Sequence, residues 1–206
     1  IAEFLTRAGV GHLGIIDSDN VDLSNIHRQS LYDINDLKKA KVNAAKKKLK
    51  KINPKTKVNC YNVRLNKDNY SKIIKKYDYI VDGSDNFKTK FLINDFCKIS
   101  RKFLVSGAIN KFDGHVFTFD FKNKNTPCIR SFFQEEKVSD DILNCEYEGI
   151  LGPVAGVVGN IQAIEVLKKI LKIGDKSNKK ILILDLNKLD FRKVEFKKKA
   201  SCICKK

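Results

Sequence analysis

The sequence predicts an α/β fold in which a mostly parallel sheet is flanked by helices and antiparallel strands follow toward the C-terminus. Short apolar runs that end in acidic turns are typical of buried parallel strands, and here they alternate with longer amphipathic segments typical of helices. Residues 115–121 instead alternate in character, the pattern of an antiparallel strand. The chain has 206 residues, of which 42% are hydrophobic, so residues 1–206 are predicted to form a single domain with a sizeable core.

The N-terminal half is predicted to contain two parallel strands and three helices. A helix ends near residue 8, and the apolar run 13–16 forms a strand bounded by glycine and a polar cluster. A lysine-rich helix is predicted over 36–51, where an apolar stripe recurs at helical spacing before an Asn-Pro pair ends it. A strand over 58–63 and a helix over 70–76 follow.

The C-terminal half continues this pattern and then changes to closing antiparallel strands. Its predicted elements are, in order, a strand over 78–81, a helix over 86–101, strands over 103–107 and 115–121, a helix over 155–171 and strands over 181–186 and 191–196. Helix 86–101 is predicted to turn these apolar side chains inward: Phe87, Phe91, Leu92, Phe96 and Ile99. Residues 122–149 break the periodicity and are predicted to form an irregular crossover-type loop, whose length is typical of a functional or mobile segment.

Acidic turns follow two of the predicted parallel strands. Asp17 ends the first strand, and Asp85 lies in the turn after residues 78–81. Because the carboxyl ends of parallel strands meet at one edge, both turns are expected to face the same crevice, where carboxylates can bind ribose hydroxyls or a Mg²⁺ ion held with phosphates. Arg28, just downstream of Asp17, offers a fork of donors suited to phosphate. By residue type alone, these acids could equally be turn formers or helix caps.

The glycines at positions 9, 11 and 14 fit the phosphate-loop pattern G-x-G-x-x-G, but their context is wrong. That fingerprint follows a strand and opens a helix, whereas here it follows a helix and opens a strand. The glycines are therefore predicted to cap the helix and turn the chain. The first strand and the glycine loop of such a fold are accordingly expected to be missing from the N-terminal side of this sequence.

The net charge and the cysteine content limit the kinds of partner and the cellular compartment that fit this sequence. The net charge is +17, from 41 Lys and Arg against 24 Asp and Glu, which favours an acidic or anionic partner. Most lysines are interpreted as solvated helix faces because few aromatic residues interleave with them. No apolar run approaches the roughly 20 residues of a membrane-spanning helix. Six cysteines are few for a disulfide scaffold of this length and indicate a reducing, cytoplasmic location.

Five short motifs occur in order along nearly the whole chain. They are Asp17 with Ser24-Asn-Ile-His-Arg-Gln29, then Lys41, Gly83-Ser-Asp-Asn86, Val105-Ser-Gly-Ala108, and the glycine-rich stretch 149–159. In this order and spacing they resemble the ThiF/MoeB family, adenylyltransferases related to ubiquitin-activating enzymes that activate sulfur-carrier proteins. The resemblance implies a Rossmann-like fold, ATP and Mg²⁺ as cofactors, a ubiquitin-like or sulfur-carrier protein as partner, and a homodimer or pseudo-dimer.

The resemblance also assigns a role to individual residues. Asp17 would hold the ATP ribose; Ser24, Asn25 and Arg28 would contact the phosphates; Lys41 would neutralise them; Asp85 would bind Mg²⁺; and Asn86 and Gln29 would line the nucleotide site. Arg28 would thereby be catalytic, as would Cys145, which lies where some members carry a cysteine that takes the activated acyl group. By residue type alone, Lys41 is as well explained as a solvated lysine and Cys145 as an ordinary loop cysteine.

The sequence departs from the family pattern in its cysteines and in its length. The family's structural zinc site uses two C-x-x-C pairs, which are here reduced to Cys128 with Ser131 and to Cys202-Ile-Cys204. Zn²⁺ binding at Cys128 and Cys202 is therefore left open, since four thiolates at this spacing would be needed for a strong signal. No rhodanese-like domain follows, so the sulfurtransferase is expected to be supplied separately.

The predicted function is ATP-dependent adenylation of the C-terminal carboxylate of a ubiquitin-like or sulfur-carrier protein, followed by thioester or thiocarboxylate formation. Two alternatives of the same fold stay open: a catalytically silent subunit of a heterodimeric activating enzyme, and an adenylating enzyme that acts on tRNA, which the charge of +17 would suit. An NAD-dependent dehydrogenase would explain Asp17 but not the convergence of Arg28, Lys41 and Asp85 on phosphates.

Overall fold

The computed structural model describes residues 1–133, 149–174 and 180–198, and its strands fall into two sheets. The first sheet pairs β1 (His12–Ile16) with β2 (Lys57–Tyr61) in parallel. The second sheet has the order β3 (Tyr79–Asp82), β4 (Phe103–Asn110), β5 (Asp113–Asp120), β6 (Lys180–Asp185) and β7 (Asp190–Glu195). Strands β3 and β4 are parallel, and each later pair is antiparallel. The predicted α/β class, with antiparallel strands toward the C-terminus, is confirmed.

The helices cover both faces of the larger sheet. They are α1 (Ala2–Arg7), α2 (Leu23–Ile26), α3 (Lys41–Ile52), α4 (Tyr70–Ile74), α5 (Phe87–Ile99), α6 (Ile129–Phe132) and α7 (Gly152–Leu171). On one face, α5 packs the aromatic cluster around Phe91 and Phe96 against Phe119 of β5. On the other face, Val158 of α7 packs among the aliphatic side chains of Val105 and other strand residues. Successive strand residues thus serve opposite cores, as the period of a strand requires. Among the described residues, no helix combines the length and apolar character needed to cross a bilayer.

The helix predicted over 36–51 begins five residues late, and the reason lies in a local turn. Asp33 and Asp36 form a reciprocal capping box, but they cap a single 3-10 turn over Ile34–Asp36. Lys38 then adopts a left-handed backbone conformation with φ 64°, and Ala40 is extended, so helical geometry resumes only at Lys41. The chain therefore turns once, over Ile34–Asp36, before the long helix starts.

Two further predictions need correction. Ile99 was predicted to face inward but is 77% exposed at the end of α5. The buried stripe of that helix instead includes Lys90 and Asn94, two polar residues that the apolar pattern passed over. The loop predicted over 122–149 also contains the short helix α6, while its residues 134–148 lie outside the described ranges.

Candidate functional site

A cleft of about 400 Å³ opens where β3 and β4 end. Its walls are the turn after β3, the end of β4, the segment after α2, the first turn of α1 and one face of α7. The residues that line it include Arg28, Gln29, Ser84, Asp85, Gly107 and Gln162. The cleft lies at the carboxyl ends of parallel strands, where open α/β sheets bind their ligands, and its size is typical of a small-molecule site.

Arg28 brings a positive charge to this cleft. Its guanidinium donates to the backbone carbonyl of Ser24 at 2.7 Å and contacts Nε2 of His27 at 2.8 Å. Within the described parts of the chain Arg28 forms no ion pair with a carboxylate, so its charge can serve an external anion. The neighbouring Gln29 places a buried side-chain oxygen here that accepts no hydrogen bond from the described residues.

Local contacts fix the segment that carries Arg28. Asp22 caps α2 by accepting hydrogen bonds from the N–H of Ser24 at 2.8 Å and from its hydroxyl at 2.6 Å. On the other side, α7 begins against this segment, since a Cβ atom added to Gly152 would lie only 2.1 Å from the His27 carbonyl oxygen. Ser24 and Asn25 therefore lie beside Arg28 in the structure, although neither lines the cleft itself.

Asp85 lines the same cleft as Arg28, and its neighbour Asn86 holds it. Asn86 caps α5 by accepting a hydrogen bond from the N–H of Thr89 at 2.8 Å, and its side-chain amide donates to Asp85 at 3.1 Å. The Asn86 side chain is thus committed to the helix start, and Asp85 is left exposed. The motif predicted to place a carboxylate at the site does so, with Asn86 orienting it.

Asp17 and Lys41 form an adjoining group at the end of β1. Asp17 accepts a hydrogen bond from the N–H of Asp19 at 2.8 Å, and the Lys41 ammonium lies 3.1 Å from the Asp19 carboxylate. Burial raises the pKa of Asp17 above its ordinary value, and the carboxylates of Asp19 and Asp85 add to that rise while Lys41 opposes it. The predicted placement of both acidic turns at one edge of a single parallel sheet is not observed, because β1 belongs to the smaller sheet, and neither Asp17 nor Lys41 lines the cleft that Asp85 lines.

This donor set fits Mg²⁺ bound with phosphates better than it fits a metal held by the protein alone. Mg²⁺ usually takes one or two carboxylates together with phosphate oxygens and water, and Asp85 supplies one exposed carboxylate at the cleft. Among the described residues, no cluster of three or more His, Cys, Asp or Glu side chains could hold an ion by itself.

The cysteines predicted to act or to bind zinc are only partly described. Cys128 is fully buried at the start of α6, and its sulfur lies 3.8 Å from the Ser131 hydroxyl. Cys145 and Cys202 lie outside the described residues. The zinc site and the acyl-accepting cysteine therefore stay predictions from the sequence.

The structure also shows a buried group beneath the cleft that the sequence analysis missed. Asp82 is the last residue of β3 and, unlike the exposed Asp85 three positions later, its side chain is fully buried and paired with Lys90 at 3.2 Å. A charged residue among the buried positions of α5 was the available signal, since lysine is rarely buried without a partner.

Comparisons with known proteins identify the family of this chain and support its fold. A model of the ThiF family matches residues 1–205. The sulfur carrier protein adenylyltransferase of Thermus thermophilus is 37% identical over 205 residues, which cover 98% of this chain and 76% of that protein. The adenylyltransferase and sulfurtransferase MOCS3 of Culex quinquefasciatus is 35% identical over 97% of this chain, which spans less than half (45%) of that relative.

Solved structures confirm the architecture at lower sequence identity. Escherichia coli MccB with ATP superposes with a TM-score of 0.82 at 19% identity, covering 98% of this chain and 61% of MccB. MccB with MccA-N7isoASN gives a TM-score of 0.83 at 18% identity, covering 98% of this chain and 62% of MccB. These likenesses concern the fold alone. The match of the family model over residues 1–205 and the relative at 37% identity show that this chain belongs to the ThiF family.

Proposed function

We propose that this chain catalyses ATP-dependent adenylation of the C-terminal carboxylate of a sulfur-carrier or ubiquitin-like protein. The observation that carries the proposal is the meeting of Arg28 and Asp85 on one cleft, with Asp17 within electrostatic reach of Asp85. The curated relatives are adenylyltransferases at 35% and 37% identity, which bears out the enzyme class predicted from the sequence.

The proposed reaction needs charge neutralisation and alignment more than covalent help from the protein. A carrier carboxylate oxygen attacks the α-phosphorus of ATP, a P–O bond forms, and pyrophosphate leaves with the electron pair of the bond that breaks. Arg28 would hold the phosphates as their charge redistributes, and fixed donors of this kind act strongly in a cleft that excludes water. A bound Mg²⁺ would neutralise part of the triphosphate charge, with Asp85 as its carboxylate ligand.

The remaining predicted site residues are proposed to contact other parts of the nucleotide. We place the ribose on Asp17, the phosphates near Ser24, Asn25 and Lys41, and Asn86 and Gln29 along the nucleotide. The acyl-adenylate would then be attacked by a sulfur nucleophile to give a thioester or a thiocarboxylate. A separate sulfurtransferase would supply that sulfur, and a homodimer or pseudo-dimer is the assembly that we propose.

An exchange assay with the full-length protein tests the proposal. Arg28→Ala is expected to lower carrier-dependent ATP–pyrophosphate exchange by roughly 10²- to 10³-fold, the usual cost of removing a donor that stabilises developing charge. Arg64→Ala, which changes an exposed arginine that does not line the cleft, is the matched control and should exchange normally. Absence of exchange in the wild-type protein with its sulfur carrier, or full exchange in Arg28→Ala, would refute the proposal.

A further inference from the structure

The buried ion pair between Asp82 and Lys90 lies directly beneath the cleft. The side chain of Asp82 is 0% exposed and that of Lys90 is 3% exposed, with 3.2 Å between the ammonium and the carboxylate. Burying two charges is costly, and well-packed apolar residues often stabilise a fold as much or more. A contribution to folding stability is therefore not a sufficient explanation for a buried Asp82–Lys90 ion pair at this position.

The carboxylate of Asp82 orders the turn that carries Asp85. Its Oδ1 atom accepts hydrogen bonds from the N–H of Ser84 at 2.9 Å and from the Ser84 hydroxyl at 2.6 Å. Its Oδ2 atom accepts from the Ser106 hydroxyl at 2.6 Å, in addition to Lys90. Four donors therefore hold this carboxylate in one orientation, and two of them belong to the residue directly before Asp85.

The Asp82–Lys90 pair also contacts two other elements that line the cleft, the end of β4 and the helix α7. The Lys90 ammonium donates to the Gly107 carbonyl at 2.5 Å, which ties α5 to the end of β4. Gln162 of α7 donates to the Asp82 carbonyl at 2.8 Å and packs over Gly107, where an added Cβ would lie 2.6 Å from its side-chain oxygen. One buried polar network thus connects β3, β4 and α7 where each contributes to the cleft.

We infer that Lys90 and Ser106 are positioning residues for Asp85, acting through the buried carboxylate of Asp82. Neither lines the cleft, so their effect on the ligand is transmitted through the Ser84–Asp85 turn. The inference rests on the proposed function, because it takes Asp85 as the ligand of the metal bound with ATP. A carboxylate displaced by a fraction of an ångström binds a small, geometrically demanding cation poorly while barely affecting the rest of the nucleotide.

Binding experiments without turnover test this inference. Calorimetric titration of the full-length protein with ATP, at a series of Mg²⁺ concentrations and also with EDTA, separates metal-dependent from metal-independent affinity. Ser106→Ala is expected to raise the Mg²⁺ concentration needed for half-maximal ATP affinity by about tenfold, the loss typical of a hydrogen bond to a charged group. Its affinity for ATP with EDTA should change by less than about twofold, since Arg28 and Lys41 are untouched.

Two further variants keep the result interpretable. Thr126→Val removes another buried hydroxyl, which donates to the Asp120 carbonyl at 2.8 Å away from the cleft, and should bind ATP and Mg²⁺ normally. If Ser106→Ala does not fold, Asp82→Asn combined with Lys90→Met removes the ion pair without stranding a charge, and it should give the same selective loss of the Mg²⁺ response.

A double-mutant cycle with Asp85→Asn decides whether the effect passes through Asp85. If it does, Ser106→Ala should add nothing in the Asp85→Asn background. An equal effect of Ser106→Ala in both backgrounds, or a loss of ATP affinity that is the same with EDTA, would overturn the positioning role while leaving the proposed function intact. A normal Mg²⁺ response in Asp85→Asn itself would refute the role of Asp85 in the proposed function and the positioning role with it.

Discussion

At the scale of single residues, Lys41 already has an ionic partner, Asp19, which the phosphates would displace in the proposed ATP complex. The Lys41 side chain is only 7% exposed, whereas Asp19 is 66% exposed and lies 3.1 Å from the Lys41 ammonium. A solvated lysine, the simplest interpretation of Lys41 from its residue type, is therefore wrong. An exposed carboxylate holds the position at which an external anion would meet this lysine.

We expect Asp19→Asn to strengthen ATP binding by a few fold. The substitution removes a competing anion from Lys41 and one negative charge from the neighbourhood of the triphosphate, an effect on the order of 1 kcal/mol for a largely exposed carboxylate. Competition with a fluorescent ATP analogue measures the dissociation constant. Asp33→Asn, which removes an exposed aspartate paired with Lys48, two turns further along α3 than Lys41, provides the matched control. Weaker ATP binding in Asp19→Asn would contradict this account and assign Asp19 to the metal.

Residue types indicated Arg28 and Asp85 of the cleft but could not assign different roles to neighbouring acids. Arg28 and Asp85 follow from a donor suited to phosphate and an acid at a strand end, and both line the cleft. Asp82 looks equivalent to Asp85 in the sequence, yet its carboxylate forms a buried ion pair with Lys90, eight residues further along the chain. That ion pair forms because α5 packs on the sheet with Lys90 on its buried face. The spacing of apolar residues does not show which acidic residue a buried lysine will contact.

At the scale of elements, the start of α7 determines where Arg28 sits. Gly152 is the first residue of this helix, and its α-carbon packs so closely on the His27 carbonyl that a methyl group would overlap it. The obstacle is backbone, which cannot rotate away as a side chain could. Any side chain at this position must therefore move either the helix or the segment that carries Arg28.

Gly152→Ala is accordingly expected to weaken ATP binding by roughly tenfold and to destabilise the fold by about 1–3 kcal/mol, the usual cost of overpacking. Gly11→Ala offers a matched control, because nothing lies within 4 Å of the Cβ it would add. Thermal unfolding and ATP titration of both variants measure the two effects separately. Unchanged ATP affinity in a folded Gly152→Ala protein would show that the helix start does not set the position of Arg28.

Element types were predictable, whereas the boundaries depended on single backbone conformations. The 3.6-residue and two-residue periods identified each of the longer helices and the strands, because these periods follow from burying one side of an element. The start of α3 was predicted five residues too early because Lys38 adopts a left-handed backbone conformation. Glycine or asparagine at this position would have indicated that conformation in the sequence, whereas lysine does not. The separation into two sheets has no local signal at all, because it depends on which strand edges meet.

At the scale of the whole molecule, Asp17 and Asp85 follow strands of two different sheets, since β1 pairs with β2 while β3 belongs to the larger sheet. The two residues are 68 positions apart in the chain, yet the Asp85 carboxylate contributes to the raised pKa of Asp17. The prediction that both acidic turns lie at one edge of a single parallel sheet is therefore not met: Asp85 lines the cleft and Asp17 does not. The net charge of +17 is a second property of this scale, and it concerns the approach of the partner more than the chemistry.

We expect association with an acidic sulfur-carrier protein to slow by roughly tenfold or more as salt rises from low to physiological ionic strength, because screening shortens the reach of the positive field. ATP affinity should fall less, since its contacts in the cleft are short and partly shielded. Stopped-flow association rates for the full-length protein, measured over a salt series, test this expectation. A rate independent of salt would mean that the positive charges serve another partner. Tight tRNA binding that persists at physiological salt would then favour the tRNA-acting alternative, because purely electrostatic contacts with phosphates weaken steeply over that range.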